Sequence, residues 1–306
     1  MSDPPRFLPF SSGCLAAAGW GLTGTFIKLM PQFSTLDVLS IRLGTAGLVM
    51  LPMLAMRPAL WSDLRVLLRT RSAMLLASLM VLYYVFAVRA FQLAPVSDVV
   101  LVVGLSPLLG LAAIAVLGQP LTVLEGLGGV TAFSGLVLFV LPKLQGKSDD
   151  TLAYLTGLGF ALLAAAVSLA YASLFKAYSA QPRLNPLLVG FITFATGSVV
   201  IIPMTLLSTS QFLHNLLQPG VWPIALGLGV LSTVVPTLSY SYAAKHLSPI
   251  LTTALNLMTP MFAAVVAALL LGEYLSWWNM AGAALVLAGI LTLSLPSGTR
   301  RPHDAG

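Results

Sequence analysis

Apolar stretches about as long as a bilayer is thick recur along almost the whole chain, and they leave few folds open. A hydrocarbon core about 30 Å deep is crossed by about 20 helical residues. Charges and Pro/Gly clusters cut the sequence into ten pieces of that length, at 8–29, 36–56, 72–91, 95–117, 121–141, 153–178, 186–208, 221–243, 249–271 and 276–295. Lipid offers no hydrogen bonds, so every backbone N–H and C=O must be satisfied within the protein, which only helices and closed barrels achieve. The expected fold is an all-α integral membrane protein with ten transmembrane helices, and the bilayer is its first partner. Composition agrees: 8% of residues are charged and 58% hydrophobic, with a mean hydropathy of +0.96. A soluble domain carries charge on about a quarter of its residues.

The net charge of +6 reads as a topological signal rather than as evidence for a nucleic-acid partner. A single cysteine, Cys14, excludes an internal disulfide and a cysteine-rich metal site. The segment Ser11-Ser12-Gly13-Cys14 resembles a lipoprotein box but lacks the leucine three residues before the cysteine. The apolar run Leu8 to Met30 exceeds the about 7–15 residues of a signal-peptide core, so a span is expected there and not a cleaved leader. Neither a cofactor nor a metal is expected.

The second half of the chain echoes the first. Leu93-Ala94-Pro95, Ser106-Pro107 and Gly118-Gln119-Pro120-Leu121 are answered by Leu247-Ser248-Pro249, Thr259-Pro260 and Gly272-Glu273-Tyr274-Leu275. The shift is 154 residues at the first and last of these and 153 at the middle one. Leu15 to Lys28 similarly sets against Leu163 to Lys176 at a shift of 148. The organisation expected is a five-helix repeat over 1–141, a polar linker at 142–152, a second repeat over 153–295 and a cytoplasmic tail at 296–306. Because five is odd, the second copy enters the membrane from the opposite side, giving a 5+5 inverted repeat around a central cavity.

Charge placement bears on this topology. Ten spans put both termini on one side together with Arg6, Arg57, Arg65, Arg69, Arg71, Lys176, Arg183, Lys245, Arg300 and Arg301. Lys28, Arg89, Lys143 and Lys147 fall on the other side, and Arg42 stays within a span. The positive-inside rule then makes both termini cytoplasmic.

Polar groups inside the spans are the candidates for function. A proline there frees a backbone carbonyl, which a polar cavity tolerates and lipid does not. Pro107, Pro236 and Pro260 lie within spans and Pro95 and Pro249 at span starts, all candidate hinges, although prolines are also simply commoner in membrane helices. Thr252, Thr253, Asn256 and Thr259 form one polar stripe, and Ser232, Pro236, Ser239 and Tyr240 another; helix-to-helix hydrogen bonding is the plainer reading of the hydroxyls. Aromatics with polar tips, Trp20 with Thr23, Tyr83 with Tyr84, Tyr171, and Tyr240 with Tyr242, fall deep in the spans and suit either an amphipathic solute or ordinary packing. Trp61, Trp222, Trp277 and Trp278 fall near span ends and read as interfacial belt. Arg42 and Asp98 are the intramembrane charges. Arg42 is a substrate contact or a clamp on carbonyls, while Asp98 is a proton or ammonium site or a helix cap. Lys28, Lys176 and Arg89 are expected to snorkel. The substrate-binding candidates are thus Trp20, Thr23, Tyr83, Tyr84, Ser106, Tyr171, Ser239, Tyr240, Asn256 and Thr259.

The five-plus-five plan, the short basic N-terminus, the Ala-rich first helix with Trp20-Gly21, Arg42-Leu43, Leu93-Ala94-Pro95, Ser106-Pro107 and Gly272-Glu273 together resemble the drug/metabolite transporter superfamily, EamA type. The likeness is strongest to its bacterial aromatic amino acid exporter branch. That resemblance implies an alternating-access carrier in the bacterial inner membrane and an outward direction of transport. Gln119 stands where the pattern has the glutamate found at Glu273, which suggests a structural role for that acid. With one deep cation, the sequence offers little to a phosphorylated substrate, and the first helix lacks a glutamate for cation exchange. A neutral or zwitterionic solute is therefore expected, aromatic or amphipathic amino acids foremost. Alternatives are a channel-like facilitator or an exporter of other metabolites and drugs, such as cationic amphiphiles. An enzyme is not expected, since His214, His246 and His303 lie near surfaces or in the tail and no HExxH or GxSxG pattern occurs. The working form is expected to be a monomer or a weak homodimer.

Overall fold

The computed structural model describes residues 7–118, 121–144, 151–178, 184, 186–208, 211–247 and 255–294. Among them, seven helices are long and apolar enough to cross a membrane: Thr35–Ala55, Arg71–Leu93, Val96–Ala113, Val123–Val140, Thr151–Tyr178, Leu187–Ser208 and Val221–Ala243. Two shorter apolar helices, Thr259–Leu271 and Trp277–Leu293, follow. The first expected span is helical but in two pieces. Many large apolar side chains face outward, Leu207 at 89% and Val116 at 87% exposure among them, as a lipid solvent allows.

In chain order the helices are α1 (Phe7–Gly21), α2 (Thr23–Lys28), α3 (Thr35–Ala55), α4 (Pro58–Leu67), α5 (Arg71–Leu93), α6 (Val96–Val103), α7 (Ser106–Val116), α8 (Val123–Leu144), α9 (Thr151–Tyr178), α10 (Pro186–Ser208), α11 (Phe212–Leu216), α12 (Val221–Leu226), a π-helical segment (Gly227–Val234), α13 (Val235–His246), α14 (Thr259–Leu271) and α15 (Trp277–Ser294). The chain groups into two compact units, residues 1–104 with 148–274, and residues 105–147 with 275–306. Each unit draws on both halves of the sequence, so compactness does not follow the linker.

The breaks explain where the prolines sit. Pro107, Pro236 and Pro260 are each the second residue of a helix, namely α7, α13 and α14. At Pro107 and Pro260, which follow two-residue turns, the missing N–H is one that the new helix would not have bonded. These two restart a helix, whereas Pro236 follows the π-helical segment without a break, inside the continuous helix Val221–Ala243. Pro52 and Pro203, by contrast, lie inside α3 and α10.

Local geometry repeats where the sequence does. A two-residue turn at Gly104-Leu105 precedes Ser106-Pro107, and one at Leu257-Met258 precedes Thr259-Pro260. Gly118 and Gly272 both take a left-handed conformation, φ 70° and 67°, which glycine adopts without steric cost. Four residues after each begins a reciprocal cap. The Thr122 hydroxyl accepts from the Glu125 N–H while the Glu125 carboxylate accepts from the Thr122 N–H. Ser276 and Asn279 do the same.

In the smaller unit, α8 and α15 run antiparallel with backbones close together. A Cβ on Gly135 would lie 2.6 Å from the Val286 nitrogen, and one on Gly282 would lie 2.6 Å from the Phe139 nitrogen. Small residues permit this approach, which replaces the hydrophobic drive that lipid does not supply. The Asn279 side-chain amide adds a hydrogen bond to the Phe139 carbonyl.

In the larger unit, small residues again set the seams. Gly19 of α1 faces the Leu231 carbonyl and Pro236, Gly21 faces α14 at Phe262 and Ala263, and Gly157 of α9 lies against Leu93 and Ala94. The Ala-rich first helix is thus a packing surface: Ala16 and Ala17 are both 1% exposed.

Candidate functional site

Polar contacts between helices gather at one end of the larger unit. Helix α6 starts after Pro95, whose side chain offers no cap, so its first N–H groups need acceptors from elsewhere. Glu273, just beyond α14, supplies one: its Oε2 accepts from the Val96 N–H at 2.8 Å. Its Oε1 pairs with Lys28 Nζ at 2.8 Å. Lys28 is in the last turn of α2, where the helix dipole favours a cation, and Glu273 sits at a helix N-terminus, where it favours an anion. One carboxylate therefore ties α2, α6 and α14 together.

Neighbouring contacts act at the same end. The Tyr154 hydroxyl of α9 donates to Asp98 Oδ2 at 2.9 Å, and the Ser97 hydroxyl donates to Oδ1 at 3.0 Å. Asp98 itself is fully buried. The Thr35 hydroxyl donates to Gln92 Oε1 at 2.7 Å, and Gln92 Nε2 donates to the Phe33 carbonyl at 3.1 Å.

Deeper in the unit, two turns into α3, lies Arg42. Its guanidinium carbon is 4.3 Å from the centre of the Tyr84 ring on α5, a cation–π contact. Arg42 is 3% exposed, and its Nε has no hydrogen-bond partner. Tyr83 also lies within electrostatic reach of the cation, its ring 5.5 Å from that of Tyr84. Tyr171 of α9 lies within electrostatic reach of Tyr84 and packs on Phe175 at 5.8 Å.

A second aromatic group joins α1 to α13. The Trp20 and Tyr240 rings are 5.2 Å apart at 51°. Beneath them, Pro236 cannot donate to the carbonyl of Ser232 four residues earlier, and the Thr23 hydroxyl lies 3.5 Å from that oxygen in a position to donate. The π-helical stretch before Pro236 is held by its own hydroxyls, Ser232 and Thr233 both donating to the Leu228 carbonyl at 2.7 and 2.8 Å. Such widened turns expose backbone groups and occur often at functional sites.

Comparison with known proteins places this architecture. The sequence pattern of the EamA-like transporter family matches residues 10–141 and residues 155–295. The chain belongs to the EamA-like transporter family. A relative called an uncharacterized transporter, from Archaeoglobus fulgidus, is 26% identical over 204 residues, covering 67% of this chain and 69% of its own. A solved protein crystal structure aligns with a TM-score of 0.61 at 16% identity, covering 94% of this chain and 98% of that one. That second likeness concerns the fold alone. The protein is a multi-pass membrane transporter.

In this EamA-like transporter, the residues singled out from sequence fall into groups. Trp20, Thr23, Pro236 and Tyr240 come together, with Ser239 half-buried beside Tyr240 on α13. Arg42, Tyr83, Tyr84 and Tyr171 form the other group. Ser106 and Pro107 open α7 in the smaller unit. Asn256 is exposed, its Oδ1 accepting from the Thr259 hydroxyl at 3.3 Å, ahead of Pro260. Pro249, Thr252 and Thr253 lie outside the described residues. Lys28, 26% exposed, is paired with Glu273. Sequence reasoning missed Tyr154, Gln92 and Thr35. The burial of Asp98 was the available signal, since a buried carboxylate requires donors.

Proposed function

We propose that this transporter exports small neutral or zwitterionic metabolites by alternating access, aromatic and amphipathic amino acids being the leading class. In this reading it works in a bacterial inner membrane, as a monomer or weak homodimer, with both termini cytoplasmic. The observation that carries the reading is the Trp20–Tyr240 pair, both residues half-buried, which joins α1 to α13. It sets two flat apolar faces with an indole N–H and a phenol hydroxyl at their edges, the combination that suits a ring bearing polar substituents.

Ten helices in two inverted sets of five accord with the turns, left-handed glycines and reciprocal caps that recur at shifts of 153 and 154. Alternating access is favoured by the Lys28–Glu273–Val96 tie, which closes the end opposite the termini in that topology. Exchange between facing states then amounts to releasing that tie while the two sets rock about the broken helices.

Counterflow in proteoliposomes tests the reading. Wild-type protein is expected to saturate with phenylalanine and to show trans-acceleration; flux without either property means a channel-like facilitator instead. Tyr240→Ala should raise KM for aromatic amino acids by roughly tenfold, about the worth of one aromatic contact with its buried area. Leucine flux should change less. Unaltered aromatic export by a folded Tyr240→Ala protein removes the Trp20–Tyr240 pair from the binding site.

A further inference from the structure

We propose that Arg42, resting on the face of Tyr84, is the carboxylate-binding subsite of this transporter, selecting aromatic or amphipathic monocarboxylates over amines that lack the acid. The proposal rests on the exporter reading above and narrows its substrate class. It begins from an imbalance. Removing a guanidinium from water is costly even after relaxation, and a desolvated cation–π contact returns only part of that cost. Arg42 is 3% exposed, its Nε has no acceptor, and among the described residues no carboxylate meets the guanidinium.

Neither buried acid of the same unit pairs with it. Asp37 caps its own helix, its Oδ2 accepting from the Ser34 N–H, while its buried Oδ1 has no partner. Asp98 takes the hydroxyls of Ser97 and Tyr154. A cation left over in this way calls for an anion that comes and goes. The guanidinium fork matches a carboxylate with two parallel N–H···O bonds, and ring stacking leaves its edge donors, Nε included, available to such a partner. Tyr84 under the guanidinium and Tyr83 beside it add aromatic surface at the same place.

The arrangement also ranks ligands. An α-ammonium has no acidic partner at Arg42, so a deaminated acid should bind about as well as the amino acid. An amine without a carboxylate meets a like charge and is refused. Cationic amphiphiles are thereby disfavoured.

The test uses the full chain, purified and reconstituted, with phenylalanine, 3-phenylpropionate and 2-phenylethylamine as probes. Counterflow is paired with ligand-induced thermal stabilisation, in chloride-containing and chloride-free sulfate buffers. Wild type is expected to carry and be stabilised by the two carboxylates and not by the amine, in either buffer. Arg42→Gln should raise KM for both carboxylates by roughly a hundredfold, the loss typical of removing one partner of a buried charged pair. Arg42→Lys, which keeps the charge and loses the fork, should fall between. If Arg42→Gln does not accumulate as folded protein, Tyr84→Leu probes the same subsite by removing the ring, with a rise of about tenfold expected.

Phenylalanine transport with an unchanged KM in Arg42→Gln overturns the subsite and leaves the exporter reading standing. So does stabilisation by 2-phenylethylamine equal to that by 3-phenylpropionate, or by chloride alone. If wild type moves none of the three probes, the exporter reading fails, and stabilisation by 3-phenylpropionate in wild type but not in Arg42→Gln still decides the subsite.

Discussion

Lys28 and Arg42 are cations on neighbouring stretches of the same unit, and their surroundings are opposite. Lys28 is 26% exposed and meets Glu273 at 2.8 Å. Arg42 is more deeply buried, at 3%, and meets an aromatic face instead. If burial alone dictated pairing, the deeper charge would have the carboxylate. Under the subsite proposal, the reverse arrangement separates two jobs: the paired cation holds helices together, and the one that meets no carboxylate among the described residues is kept for a bound solute.

The largest effect on the protein itself should come from deleting the unpaired charge. Arg42→Met keeps a long apolar stem while removing a desolvated cation, and replacing buried ionic groups by apolar ones of similar volume is often stabilising. Without ligand, the variant is expected to be more stable by about 1–3 kcal/mol, read as a higher unfolding temperature in detergent, while stabilisation by carboxylates disappears. A lower unfolding temperature would mean that the guanidinium is a structural element, and the contrast with Lys28 would collapse.

Lys28→Met should act in the opposite direction and more weakly. It leaves Glu273 bonded to the Val96 N–H but without its cation. Both side chains are partly exposed, so solvent screening holds the loss to within about 1 kcal/mol. Raising salt should shrink the difference between wild type and Lys28→Met, because exposed pairs are screened, and leave the Arg42→Met difference unchanged. Equal salt dependence in the two variants would erase the distinction drawn from their burial.

How far these roles could be read in advance follows from which interactions are local. The apolar stretches announced helices because lipid leaves the backbone few alternatives. Gly118 and Gly272 stood out because the short segment around each recurs in the two halves of the chain. Tyr83 and Tyr84 stood out for their depth in an apolar run. What sequence could not supply was the distant partner. Glu273 caps a helix that begins 177 residues earlier, and Tyr154 reaches Asp98 across 56 residues. The break at Leu22 was equally hidden. There the N–H is shared between the carbonyls of Ala18 and Gly19, each at 3.2 Å, beside a seam where Gly19 and Gly21 touch two other helices.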